Sequence, residues 1–313
     1  MKSNNRNNPS FCLEVWGTDY NKINNTCILA EKLGYDGFYY GESLADIDLD
    51  CWTIISHLSA ITNKIKLGPV ITYLFPQYRN IFLLAKQAMT LQEISNGRLE
   101  FRTGAGTTLE WSSQWWHPYG IDYPNNAERV SILEEGVQIL HKLWNKPTVN
   151  FDGKYFKVKG ATLQKKINQK NIPVTIAAKR NKTMQIAAKY ADIWESSYIT
   201  PEQFASLNKK FDEISKQFNN NGGNRSKKIT KSIELDVIIA DSDSDLEYKK
   251  RIFAMERGPG VAHQILKHGL VGKPDKITDK LKEYTNAGVD QFFLAFQDPF
   301  DPKALDLFMK AIA

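Results

Sequence analysis

The chain has 313 residues, 42% hydrophobic and 24% charged, an ordinary globular composition that suits two medium domains or one large α/β barrel. Its net charge of +6 lies on scattered lysines, with small clusters at Lys165, Lys166, Lys170 and at Lys227, Lys228, Lys231; no element carries a basic and aromatic stripe, which argues against a nucleic-acid partner. Three cysteines without CxxC spacing, a polar start (MKSNNRNNPS) and no apolar run of spanning length argue against a disulfide scaffold, a signal peptide and a membrane protein, so the expectation is a cytoplasmic protein with residues 1–10 disordered.

Phe11 to Trp16 reads as a strand, and Asn21 to Leu33 as a helix with Ile23, Cys27 and Ala30 on one face and Gly34 as its stop. Phe38-Tyr39-Tyr40 is a short buried strand and Cys51 to Ile61 a helix. Ile65 to Ile71 is a strand with Gly68-Pro69 inside it; proline cannot donate to a ladder, so a bulge or bend is expected there. Arg79 to Ile94 is a helix and Arg98 to Thr103 a fourth strand. Arg129 to Trp144 is a helix with Val130, Leu133, Val137, Leu140 and Trp144 on one stripe. This alternation implies parallel strands joined by right-handed crossovers.

The second half is less regular. FDGKYFKVKG (151–160) predicts a hairpin turning at Asp152-Gly153, part of an insertion of about residues 148–165. Strands follow at Ile172–Ala177, Asp192–Glu195, Glu234–Ala240 and Gln291–Phe296. Helices follow at Lys182–Tyr190, Pro201–Phe218, Lys273–Ala287 and Pro302–Ile312, with a broken helix over Leu246–His268 and a loop at 219–228. The order fits one (β/α)8 TIM barrel with insertions over residues 11–313. A doubly wound sheet would want GxGxxG after the first strand, and VWGTDYNK has one glycine.

Barrel enzymes carry their chemistry at the carboxyl ends of the strands. Those ends hold Trp16-Gly17, Gly41-Glu42-Ser43, Ile71-Thr72-Tyr73, Gly104-Ala105-Gly106-Thr107, Ala177-Ala178-Lys179-Arg180, Glu195-Ser196-Ser197 and Phe296-Gln297-Asp298. No histidine cluster offers a metal site and no serine sits in GxSxG. His57 and His141 fall inside helices, where packing is the simpler role, whereas His117, in WWHPYG, lies near the mouth. A rim of aromatics, glycines and small hydroxyls suits a flat ring that brings its own chemistry. Lys179-Arg180, where the fifth strand gives way to a helix, combines two cations with free backbone N–H groups, which reads as a phosphate site or as two solvated charges.

Six segments, in order, resemble the bacterial-luciferase-like family of flavin- and deazaflavin-dependent oxidoreductases. They are AEKLGYDGFYYGE (30–42), ITNKIKLGPVIT (61–72), AKQAMTLQEISNGRLEFRTGAG (85–106), AERVSILEEGVQILHKLW (127–144), IPVTIAAKRNKTMQIAAKYADIW (172–194) and LVGKPDKITDKLKEYTNAGVDQFFL (270–294). The resemblance runs from about Phe11 to Ile312. It implies a barrel that binds reduced FMN or the deazaflavin F420 at its strand ends, and a homodimer acting on a small-molecule substrate. Backbone at Gly104, Ala105, Gly106 and Thr107 would lie against the ring, with Trp16 and Gly41 beside it. The third-strand bend (Pro69, Val70, Ile71, Thr72) would support the ring face, in some relatives through a non-prolyl cis peptide. The tail phosphate would sit at Ala177, Ala178, Lys179, Arg180 and Asn181.

Two departures stand out. Many relatives have paired glycines after the fifth strand, where this chain has Ala177-Ala178, and a histidine after the second-strand acid, where it has Ser43. Proton transfer then falls to Glu42, Glu110 or His117, and each carboxylate has a structural reading as a hydrogen-bond acceptor. GPVIT and KVKGATLQ resemble the deazaflavin branch, including the methylene-tetrahydromethanopterin reductases, while the long loop after the fourth strand resembles the monooxygenases. The reading is hydride transfer with F420 or monooxygenation with FMN. Its alternatives are an FMN-dependent monooxygenase proper, a non-catalytic flavin-binding protein, and a barrel for a phosphorylated metabolite.

Overall fold

The computed structural model describes residues 8–163, 171–220 and 228–313, so Lys165, Lys166, Lys170, Lys227 and most of the 1–10 and 219–228 segments lie outside the described residues. Eight parallel strands form the ring: β1 (Ser10–Val15), β2 (Gly37–Gly41), β3 (Lys66–Val70), β4 (Phe101–Gly104), β7 (Val174–Ala177), β8 (Ile193–Ser197), β9 (Thr230–Ile239) and β11 (Gln291–Phe296). Between them come the hairpin β5 (Val149–Asp152) and β6 (Lys157–Ala161), and a short strand β10 (Leu270–Gly272) that pairs with β9. Neighbours follow chain order around the ring, and it closes between β3 and β4 through the parallel bridges Leu67–Leu99 and Thr72–Thr103.

That closing seam is sparse for a reason in the sequence. Leu67 uses its N–H on the Arg98 carbonyl and accepts from the Glu100 N–H, so the odd-numbered residues of β3 face β4. Pro69 is the next such residue and has no N–H to give. On the other side the register with β2 runs unbroken from Gly37–Lys66 to Gly41–Val70. Of the bulge or bend expected there, the strand has no bulge against β2, and the bend lies at a cis peptide between Val70 and Ile71.

The helices form the outer layer: α1 (Tyr20–Leu33), α2 (Cys51–Ile61), α3 (Ile81–Ile94), α5 (Asn126–Asn145), α6 (Asn181–Tyr190), α7 (Pro201–Asn220), α8 (Asp243–Arg257), α9 (Pro259–His268), α10 (Pro274–Asn286) and α11 (Pro302–Ile312). Side-chain caps set several starts: Asp19, Asp50 and Asn80 each accept from backbone N–H groups of the first turn. Asn125 and Glu128 form a capping box, which starts α5 at Asn126, four residues before Val130 opens its apolar stripe. Gly34 ends α1 in the left-handed region at φ 91°. Trp194 of β8 is wholly buried and stacks on Phe211 of α7, ring centroids 4.3 Å apart.

Three local expectations need correction. The hairpin does not turn on two residues at Asp152-Gly153: β5 ends at Asp152 and β6 begins at Lys157. The Glu135 carboxylate of α5 accepts from the N–H groups of Lys154, Tyr155 and Phe156 and so stabilises a longer turn. The segment after β4 is more than loop, since it holds α4 (Leu109–Ser112) and two short 3-10 turns. The third is β10, too short for a periodic signal in the sequence.

Candidate active site at the barrel mouth

Small residues line the carboxyl rim on the β2–β7 side. A side chain on Gly41 would run into Trp16, which folds over the end of β2. A Cβ on Gly104 would lie 3.1 Å from Ile71 and 3.2 Å from the Ala177 methyl. Gly106 sits in the left-handed region at φ 78° with Tyr123 against it. The crowding at all three glycines comes from protein side chains; it favours glycine strongly at Gly41 and Gly106, whereas at Gly104 the neighbours would have to give by a few tenths of an ångström.

Arg129 of α5 shapes this loop. It is buried, and its guanidinium donates to the carbonyls of Ala105 (2.9 Å), Thr107 (2.7 Å) and Pro124 (2.6 Å). In a trans peptide C=O and N–H point oppositely, so the N–H of Gly106 faces away from Arg129. Below the loop Trp116 packs among Tyr73, Phe75, Tyr78 and Tyr123.

Glu42, at the end of β2, is held on every side. It accepts from Thr72 Oγ1, from Arg79 Nη2 and from the Tyr78 hydroxyl (3.1 Å). Burial raises its pKa, while Arg79, Thr72 and Tyr78 favour the anion. Thr72 is equally committed: its N–H donates to Arg102 O (3.0 Å) and its carbonyl accepts from Thr103 Oγ1 (2.7 Å). Nearby, burial raises Asp48 to about 6.

Across the rim, α6 begins at Asn181. Thr183 caps it by accepting from Arg180 N (3.3 Å), and Arg180 is exposed. Lys179 Nζ donates to the Ser197 carbonyl (3.2 Å); desolvation lowers its pKa and Glu234 opposes this. Ala178 is fixed, its N–H on Glu195 O (2.9 Å) and its carbonyl on Trp194 Nε1 (2.8 Å). The structure therefore brings Trp16, Gly41, Val70, Ile71, Gly104, Ala105, Gly106 and Ala177 to one end of the barrel, with Lys179, Arg180 and Asn181 at its edge. Glu110 and His117 are exposed in the segment after β4, apart from Glu42's network; the Trp111 side chain lies outside the described residues.

The group not singled out from sequence lies just beneath this mouth. Arg102 of β4 is wholly buried inside the ring and meets three carboxylates. Glu195 of β8 binds it bidentately (2.8 and 2.9 Å), Glu14 of β1 reaches Nη1 at 2.5 Å, and Glu234 of β9 reaches Nη2 at 3.5 Å. The guanidinium lies 3.8 Å from the Phe293 ring centroid. Burial raises Glu195 to about 7, against Arg102. Burial, then the Glu234 charge, pushes Glu14 well above the ordinary carboxylate range. A readable signal existed: charged residues at inward positions of otherwise apolar strands are rarely buried unless paired.

Residues 13–265 match the model of the luciferase-like monooxygenase family, and the chain belongs to that family. It is 26% identical over 234 residues to a pyrimidine monooxygenase RutA of Agrobacterium fabrum, covering 71% of this chain and 60% of that one. It is 26% identical over 187 residues to an F420-dependent glucose-6-phosphate dehydrogenase of Microbacterium testaceum, covering 58% and 52%. The chain thus spans about half to three fifths of the length of these curated relatives. An F420-dependent secondary alcohol dehydrogenase, solved with an F420-acetone adduct, superposes with a TM-score of 0.82 at 16% identity over 97% of this chain and 98% of that one, which establishes the luciferase-like barrel fold.

Proposed function

We propose that the protein is an oxidoreductase that binds reduced F420 or FMN across the barrel mouth and uses it on a small organic substrate. The observation that carries this is the juxtaposition, at one end of the ring, of the small-residue rim with the cationic start of α6. The family relatives, which include an F420-dependent dehydrogenase and a monooxygenase, support it.

The residues present fit such a group. Lys179, Arg180 and the first N–H groups of α6 suit an anionic tail, because a helix start attracts negative charge. The Gly106 N–H, turned away from Arg129, offers a donor to a ring edge. Trp16, Gly41, Val70 and Ile71 form the wall on the other side, with Gly104, Ala105 and Thr107 along the loop. When bound, the group supplies hydride transfer or, as reduced FMN with oxygen, oxygen insertion. Ala177 keeps the rim low, and Ala178, both backbone groups engaged, holds the strand end still. Thr72 and Glu42 position the Tyr78–Arg79 segment, and a proton role for Glu42 needs that network to open. Glu110 and His117 face solvent from the segment after β4 and are the candidates for proton exchange with substrate.

A homodimer acting in the cytoplasm is the setting we infer; three cysteines that stay buried and unpaired support a reducing compartment, and sedimentation tests the dimer. No helix among the described residues is long and apolar enough to cross a membrane. The test of function is a titration of the purified protein with FMN and with F420, followed by absorbance. Saturable binding of one ring, and its turnover with an oxidant, is the expected result. Failure to bind either overturns the reading; binding without turnover leaves a flavin carrier.

A further inference from the structure

The Arg102 cluster is unbalanced. Three carboxylates, Glu14, Glu195 and Glu234, surround one guanidinium inside the ring, so full ionisation would bury a net charge of two. Burying unpaired charge is costly, and the cheaper state keeps a proton on one carboxyl. Glu14 Oε2 is buried and has no hydrogen-bond partner among the described residues. The three carboxylates also differ in access: the side chains of Glu14 and Glu195 are 0% and 1% exposed, that of Glu234 14%. Glu234 Oε1 accepts from the Tyr198 hydroxyl, and the Tyr198 N–H bonds the Glu234 carbonyl (3.0 Å). Tyr198 follows β8 at the mouth and is 40% exposed.

We propose that this cluster is a proton store wired to the mouth: it holds one proton at neutral pH and releases it through Glu234 and Tyr198. Outward transfer moves a proton from the Glu14–Glu195 pair to the Glu234 carboxylate; the contacts that join the three run through the Arg102 guanidinium, so this step takes a side-chain rotation that brings the carboxyl O–H onto a Glu234 oxygen. The Tyr198 O–H, which here donates to Glu234 Oε1, then rotates toward an acceptor at the mouth, so that Glu234 passes its proton to the Tyr198 oxygen while the phenol's own proton goes to that acceptor. The cluster passes from one net negative charge to two, the acceptor gains one positive charge, and nothing is oxidised. Arg102 stays charged throughout and serves as the common anchor. The groups facing the cluster are Glu14 from β1, Tyr39 from β2, Arg102 from β4, Glu195 from β8 and Glu234 from β9. The Phe293 ring closes it from β11, and Lys179 and Asp236 lie beside Glu234. Lys66 and Glu100 pair at 3.9 Å further down. The ordering agrees with the upward displacement of Glu14 and Glu195. Only the use of the proton rests on the redox reading above.

Infrared spectroscopy of the full chain without cofactor tests this. The wild type should show a protonated-carboxyl stretch at pH 7 that shifts in D2O. Glu14→Gln and Glu234→Gln should each abolish it, because removing either charge balances the remaining carboxylates better against Arg102. Bands from Glu42, Asp48 or Asp236 would cancel in these differences. Tyr198→Phe should keep the band but slow its deuterium exchange roughly tenfold or more. No such band, its survival in either glutamine variant, or unchanged exchange in Tyr198→Phe would overturn the proposal. Since no cofactor is present, a failed flavin titration leaves this outcome untouched, and the reverse holds too.

Discussion

Two buried ion clusters lie within one barrel, and they differ in stoichiometry. At the rim, Glu42 meets one guanidinium, Arg79, together with Thr72 and Tyr78. Inside the ring, Arg102 meets Glu14, Glu195 and Glu234. The first is balanced in charge and both oxygens of its carboxylate are engaged, with Arg79 Nε the one buried donor of the pair left without a partner among the described residues, so it fixes geometry. The second carries an excess of carboxylate, so it must titrate. A buried carboxylate is thus an anchor or a proton carrier according to the cations it shares, and proximity to the mouth does not decide which.

The largest expected effect breaks the second cluster. Arg102→Met leaves buried carboxylates without their cation and should cost about 3–5 kcal/mol, read from the urea midpoint at pH 7. A cost close to zero would show that the cluster is already neutral without arginine. Next comes the pH dependence. Folded Glu195 keeps its proton up to about 7, while in the unfolded chain it ionises near ~4.3. Between those values the folded state holds the extra proton, so stability is highest below the window and falls as pH rises through it, by on the order of 4 kcal/mol. Glu195→Gln should flatten that fall; an identical slope in variant and wild type would place the titration elsewhere, with Asp236, raised by burial to about 7, the next candidate. The smallest effect belongs to the balanced pair. Glu42→Gln keeps most hydrogen bonds, and Arg79 is partly open to water, so the loss should be about 1–2 kcal/mol. Burial raises Glu42 while Arg79, Thr72 and Tyr78 oppose the shift, so the pH slope should change less than in Glu195→Gln. A larger change of slope than Glu195→Gln gives would make Glu42 the main titrating group and reverse the comparison.

The ring was legible because its signals are local. Alternating periods place all eight barrel strands, and the 291–296 strand and the 302–312 helix match their structural bounds. The rim was legible for the same reason, since strand ends follow from strands. What stayed hidden depends on contacts between distant residues. Glu14, Arg102, Glu195 and Glu234 are 88 to 132 positions from their partner in the three pairings with Arg102, and nothing local says that they meet. The same holds for Arg129, which secures a loop 22 to 24 residues away, and for Glu135, which stabilises the hairpin turn. Glu42 was visible as a mouth acid, but its commitment to Arg79 required coordinates.

The measurement that tests the account most directly is ring affinity in a Lys179→Ala plus Arg180→Ala variant, titrated beside the wild type with whichever of FMN or F420 the wild type binds. Loss of two cations at the start of α6 should weaken binding by roughly tenfold or more, less so at high salt. Affinity equal to that of the wild type at low salt would contradict the placement of the cofactor tail and, with it, the orientation assigned to the mouth.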